Sequence, residues 1–226
     1  MLKAIIFDID NTLVDFMQFK KKTAKASAAA MKKHGWKLSE KETIRRIFAI
    51  YSKKGIEYQK TFRDLVYHQG YRGNKAERLQ QAAILAYLKE KGKALKPFAG
   101  VISTLAKLKK RHRLAVLSDA PRNKAWQRLI MAKLDKYFDE VGTISDTGKF
   151  KPDKLPFLRM CKKLKVKPGE CLFVGDNPER DIKGAKSVGM ITAFAKYGHV
   201  IGDARKGRAD FVLKSPKQLL SVVKKA

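Results

Sequence analysis

The chain has 226 residues, 44% of them hydrophobic, enough to bury the core of one large domain or of a large domain with a smaller insert; 51 Lys and Arg against 21 Asp and Glu leave a formal charge of +30. No apolar run approaches the roughly 20 residues of a membrane helix, and the first run is too short for a signal peptide, so a cytoplasmic protein is expected. Two cysteines without metal-type spacing and four scattered histidines rule out a zinc pattern, so any metal is expected to be held by oxygen, with the thiols reduced in the core.

Residues 3–8 read as a strand. From residue 15 the period changes to that of a helix, with Phe16, Phe19, Thr23, Ala26, Ala30 and Met31 at spacings of three and four until Gly35. Ser39 with Glu42 forms a capping-box pattern for a second helix through Ile44, Ile47, Phe48 and Tyr51. A third helix is expected over residues 57–67 and a fourth over 75–91, with Leu79, Ala82, Ala83, Ala86 and Tyr87 on one face. An all-helical block that interrupts a strand-led pattern is most simply an inserted domain, because the sheet must resume to cover its first strand. Pro97 and Gly100 mark the return, which sets an α/β domain at 1–14 and 96–226 around a helical insert at 15–95. Strands at 113–117, 141–144, 171–174, 190–193 and 211–213 then alternate with helices at 101–110, 123–134, 153–164, 179–187 and from 215. That alternation predicts a doubly wound parallel sheet covered on both faces.

The basic residues run along the whole chain, as in Lys20-Lys21-Lys22, Lys109-Lys110-Arg111 and Lys224-Lys225. Most fall on polar helix faces and read as solvated surface. The same field attracts phosphorylated metabolites and polyanions, so nonspecific nucleic-acid binding is a second reading of the charge.

Four polar sites end or follow apolar segments. Phe7-Asp8-Ile9-Asp10-Asn11-Thr12 closes the first strand, Ser118-Asp119 closes Leu114-Ala115-Val116-Leu117, Lys151 precedes Pro152, and Gly175-Asp176-Asn177-Pro178-Glu179-Arg180-Asp181 follows Cys171-Leu172-Phe173-Val174. Asp and Asn also start ordinary turns, so a single such site carries little weight. Strand alternation sends Asp8 and Asp10 to one side, where like charges resist joint ionisation without a shared cation or proton. In an open parallel sheet the loops at the carboxyl ends of the strands meet, so the four sites can share one pocket.

In order and chemistry these motifs resemble the haloacid dehalogenase (HAD) superfamily, whose Rossmann-like core carries an inserted helical cap in many members. The resemblance implies a phosphohydrolase. It makes Asp8 the nucleophile that forms an aspartyl phosphate and Asp10 the general acid and then base, its carbonyl also touching a Mg²⁺ ion. Members that cleave carbon–halogen bonds lack that second acid, since a halide leaves unprotonated. Thr12, Ser118, the backbone N–H of Asp119 and Lys151 are implied phosphate contacts, although family members often have Asn where Asp119 stands. Asp8, Asp10 and Asp176 are implied metal ligands, Asp181 orients a metal-bound water or Lys151, and Asn177 shapes its loop. Hard oxygen ligands beside a phosphate suit Mg²⁺.

The expected protein is thus a Mg²⁺-dependent phosphomonoester hydrolase for a small metabolite, monomeric or homodimeric, with its cap closing over the site and choosing the substrate. Lys20, Arg45, Arg46 and Arg63 are candidate substrate contacts in that cap. A sugar phosphomutase or pyrophosphatase of the same superfamily shares every core motif, and a basic nucleic-acid-binding protein with secondary catalysis remains the reading of a different class.

Overall fold

A computed structural model describes residues 1–200, 203 and 208–226, and in it the chain divides into two compact units, Met1–Met17 with Lys96–Ala226, and Gln18–Leu95. The chain runs through β1 (Ala4–Phe7), α1 (Phe16–Lys33), α2 (Glu40–Lys54), α3 (Thr61–His68), α4 (Gly73–Ala94), α5 (Val101–Leu108), β2 (Arg113–Ser118), α6 (Arg122–Met131), β3 (Glu140–Thr143), α7 (Ile144–Thr147) and α8 (Lys154–Leu164). It continues through β4 (Cys171–Gly175), a π-helical turn (Pro178–Ile182), α9 (Lys183–Lys186), β5 (Ile191–Ala195), β6 (Phe211–Leu213) and α10 (Leu219–Val222). No helix among the described residues is long and apolar enough to cross a membrane.

All six strands of the first unit are parallel, in the order β3-β2-β1-β4-β5-β6. The expected doubly wound α/β sheet is therefore the fold that forms. Central strands covered on both faces must be apolar throughout, and every residue of β1 and β4 is buried. Beneath β4, Phe157 of α8 meets Phe173 edge-on at 5.1 Å in a cluster with Ile6, Leu117, Met160 and Ala185. Cys161 and Cys171 are free and buried in that cluster. The order of the strands reverses between β1 and β4, and the crevice above such a switch point is where open sheets bind ligands.

The segment expected as one helix over 179–187 is instead a π-helical turn followed by the short α9. Asn177 is the cause. Its carbonyl accepts from the N–H groups of both Asp181 and Ile182, and its Oδ1 accepts from Glu179 N and Arg180 N. Pro178 has no N–H to offer at this turn, so the side chain of Asn177 closes the wide first turn and leaves Asp181 facing back toward β4.

The helical unit has its own core, with Trp36, Met31, Ile47, Leu65 and Leu79 fully buried. Trp36 stacks on Tyr71 at 5.2 Å and donates Nε1–H to Thr43 Oγ1 at 2.7 Å. Ser39 caps α2 by accepting from Glu42 N. The helix expected over 57–67 begins later, at Thr61, because Gly55 at φ 88° ends α2 and residues 56–60 turn the chain.

Candidate active site

The nucleophile loop is built by a tight reversal straight after β1. Asp8 N still bonds Val174 O at 2.9 Å, extending the sheet by one residue, and then the N–H groups of Thr12, Leu13 and Val14 all turn back to Ile9 O. Asn11 takes the left-handed conformation, φ 56°, that Asn tolerates best among residues with a side chain, and its Oδ1 accepts from Met17 N in the first turn of α1. The reversal on Ile9 O therefore fixes the loop that carries Asp10 just past the strand.

At the switch point Asp8 faces the loop after β4. Carboxylate oxygens of Asp8, Asp176 and Asp181, all buried, lie within 4.8 Å of one another. Gly175 makes room for this, since a Cβ there would sit 2.5 Å from the Asp181 carboxyl carbon. Lys151 Nζ enters from the loop before α8, donating to Asp8 Oδ1 at 2.6 Å and to Leu117 O at 3.1 Å, and it pairs with Asp181 Oδ1 at 2.7 Å. Its side chain is 2% exposed.

Burial pushes the Asp8 carboxyl up to about 7 against the field of Lys151, with Asp181 and Asp10 adding to the rise. Burial, with Asp181 and Asp8 beside it, carries Asp176 to about 9. Burial also opposes the charge on Lys151, but the fields of Asp181 and Asp8 outweigh it and hold the ammonium well above its usual range. Three packed carboxylates around one buried ammonium form a site short of positive charge. Such a donor set of hard oxygens, which otherwise retains protons, fits a divalent cation of the Mg²⁺ kind.

The remaining expected residues gather around this centre in different ways. Ser118 ends β2, buried, with Oγ accepting from Ala120 N at 3.2 Å. Thr12 is fully buried, its carbonyl accepts from Tyr197 Oη at 2.8 Å, and its hydroxyl has no hydrogen-bond partner among the described residues. Asp119 spends its carboxylate on protein groups, Oδ1 accepting from Lys151 N at 2.9 Å and Oδ2 from Arg180 Nη1 at 3.2 Å. Its side chain thus ties three loops together, which leaves the backbone N–H for an anion. Asn177 works as the turn former described above. The Asp10 carboxylate lies outside the three-acid group and pairs with Arg128 at 2.9 Å.

Three residues of the site region carried no signal in the sequence. After β5 the turn at 196–198 presses on both acidic loops. Tyr197 bonds Thr12 O, a Cβ on Gly198 would meet Asn11 O at 1.6 Å, and His199 Nδ1 lies 2.8 Å from Asp176 O. A glycine and a tyrosine past a strand end look like any loop.

The four basic candidates of the helical unit are all engaged within it. Lys20 is buried, donates to Ile56 O at 2.8 Å and lies 4.6 Å from the Tyr51 ring centroid. Arg45 and Arg46 pair with Glu42, and Arg63 with Asp64.

Comparison with known proteins agrees with the motifs. A family model described as haloacid dehalogenase-like hydrolase matches residues 2–189. The chain belongs to the haloacid dehalogenase-like hydrolases. A glyceraldehyde 3-phosphate phosphatase of Methanopyrus kandleri is 30% identical over 230 residues, covering 99% of this chain and 98% of that protein. A pyrophosphatase PpaX of Halalkalibacterium halodurans is 32% identical over 134 residues, 58% of this chain and 61% of its own. Among solved structures, a HAD phosphatase from Thermococcus onnurineus superposes with a TM-score of 0.70 at 24% identity, covering 98% of each chain. The family is one of hydrolases, and the phosphatase relative aligned along nearly the whole chain agrees with an enzyme acting on phosphoric monoesters.

Proposed function

We propose that this HAD-like phosphatase hydrolyses a small phosphorylated metabolite through an aspartyl phosphate on Asp8, with Mg²⁺ bound by Asp8, Asp176 and the carbonyl of Asp10. The observation that carries the reading is Lys151 bridging Asp8 and Asp181 at 2.6 and 2.7 Å, inside a buried acidic group at the sheet's switch point. A carboxylate attacks a phosphoryl group only where negative charge is neutralised and the atoms are held in line. The cation, when bound, would supply most of that neutralisation.

Lys151 keeps Asp8 oriented and adds positive charge beside the transferring oxygens. Thr12 and Ser118 offer hydroxyls, and the start of the loop after β2 offers N–H groups, to the same phosphoryl oxygens. Asp10 gives its proton to the leaving oxygen as the bond to phosphorus breaks, then takes one from the water that cleaves the aspartyl phosphate, so that Asp8 returns as a carboxylate and Asp10 as the acid. The helical unit at 18–95 is assigned the role of the family's cap. A triose phosphate is the first substrate to test, because a relative aligned along nearly the whole chain is named for one. Pyrophosphate is the second, because relatives named pyrophosphatase PpaX also match, the putative ones along nearly the whole chain.

The test is phosphate release with Mg²⁺ from a panel of triose, tetrose and hexose phosphates, glycolate phosphate and pyrophosphate. Release from one or more carbon phosphates, lost in Asp8→Asn, is the expected result. Full release by Asp8→Asn overturns the assignment, and isomerised product without free phosphate turns it into a mutase.

A further inference from the structure

The acid/base carboxylate has a buried partner outside the family motifs. Arg128 lies on α6, far along the chain from Asp10, and its side chain is 6% exposed. Its Nη1 stands 2.9 Å from Asp10 Oδ2, and its guanidinium carbon 4.3 Å from the centroid of Phe16. Phe16 opens α1, whose N-terminal turn Asn11 caps through Met17 N. The guanidinium is therefore clamped between the first turn of α1 and the loop that carries Asp10.

Burying a guanidinium is expensive, and a surface arginine on α6 would have cost nothing. Among 51 basic residues this one is withdrawn from water onto the carboxylate that the proposed mechanism uses twice. An arginine has no lone pair to accept with and does not deprotonate in proteins. Asp10 Oδ2, facing it, is therefore an acceptor throughout the cycle, and any proton that Asp10 carries sits on Oδ1. Its seat over the Phe16 ring restrains the guanidinium and with it the carboxylate it faces.

We propose that Arg128 is a positioning residue for Asp10. It holds Oδ2 so that Oδ1 alone delivers the proton to the leaving oxygen and later receives one from water. The inference rests on the acid/base reading of Asp10 given above. No bond to phosphorus involves Arg128.

The experiment uses the full chain with Mg²⁺ and compares wild type, Arg128→Met, Arg128→Lys, Asp10→Asn and the Asp10→Asn/Arg128→Met double variant. Formation of the phosphoenzyme is followed in single turnovers with an alkyl phosphate, whose leaving oxygen needs a proton, and with 4-nitrophenyl phosphate, whose leaving group does not. Misplacement of a reacting group costs on the order of 100-fold, so Arg128→Met should slow the alkyl substrate about 100-fold and the aryl substrate at least about tenfold less. KM should stay within about threefold, and in the Asp10→Asn background the added loss should be less than about threefold. Equal slowing of the two substrates, or a full further loss in the double variant, overturns the proposal. If Arg128→Met does not fold, the same alkyl-to-aryl contrast is read on Arg128→Lys, which keeps a cation but not the planar fork; absence of the contrast there counts against the proposal in the same way. Unchanged alkyl turnover in Asp10→Asn would instead remove the acid/base reading itself.

Discussion

Replacing Lys151 with methionine keeps most of the side-chain volume and deletes the ammonium 2.6 Å from Asp8 and 2.7 Å from Asp181. At an effective dielectric of about 20 each pairing is worth roughly 6 kcal/mol of attraction, much of it offset by dehydrating the ammonium. What survives is the cost of leaving buried carboxylates unmatched, about 3–5 kcal/mol, or roughly 6–20 °C in Tm for a chain of this size. The loss must depend on pH, and its sign follows from the shifted groups. Lys151 is raised, so its contribution is complete below the unfolded lysine value of about 10.4 and constant across neutral pH. Asp8 and Asp176 are raised to about 7 and about 9, so without metal the folded state holds more protons than the unfolded chain above about pH 4, and stability falls as pH rises through those values. Removing Lys151 raises them further. Thermal unfolding followed by circular dichroism in the presence of a chelator should then show a larger loss near pH 8 than near pH 5.5, where Asp8 and Asp176 are protonated in both proteins. An equal loss at both pH values, or a shift under about 2 °C near pH 8, would refute the reasoning.

Millimolar Mg²⁺ should raise the Tm of the wild-type protein, by about 2.7 kcal/mol of stabilisation at 100 times Kd, and more at pH 8 than at pH 5.5, because the cation competes with protons held by Asp8 and Asp176. Asp176→Asn should abolish that shift in the same melting assay. Gly198→Ala should lower kcat about 100-fold, since its Cβ would meet Asn11 O at 1.6 Å and the nucleophile loop must give way; steady-state kinetics at wild-type activity would exclude the bracing role of this turn.

Much of the site was legible because each motif sits at the end of an apolar run. Ala4-Ile5-Ile6-Phe7 and Cys171-Leu172-Phe173-Val174 can only be central strands, and neighbouring parallel strands bring the acids that follow them together. The chain keeps its sheet pairing through Asp8 N and then reverses on Ile9 O, so Asp10 is carried by the loop after β1. The helix expected over 179–187 forms but opens with a π turn, because the side chain of Asn177 takes up the N–H groups of its own first turn. Arg128 was invisible for a statistical reason with a physical core. Nothing local distinguishes a buried arginine from a solvated one, and only the packing of α6 against Phe16 and Asp10 selects it. Lys20 shows the converse, for a lysine in a basic run turns out to be enclosed by the rings of its own unit.

The proposed reaction passes through a covalent bond between phosphorus and one carboxylate. Rapid acid quench of the Mg²⁺-loaded protein during turnover, borohydride reduction and peptide mass measurement read that bond directly. Homoserine in place of Asp8, and at no other aspartate, is the predicted result. Sustained phosphate release with residue 8 recovered only as aspartate would contradict it.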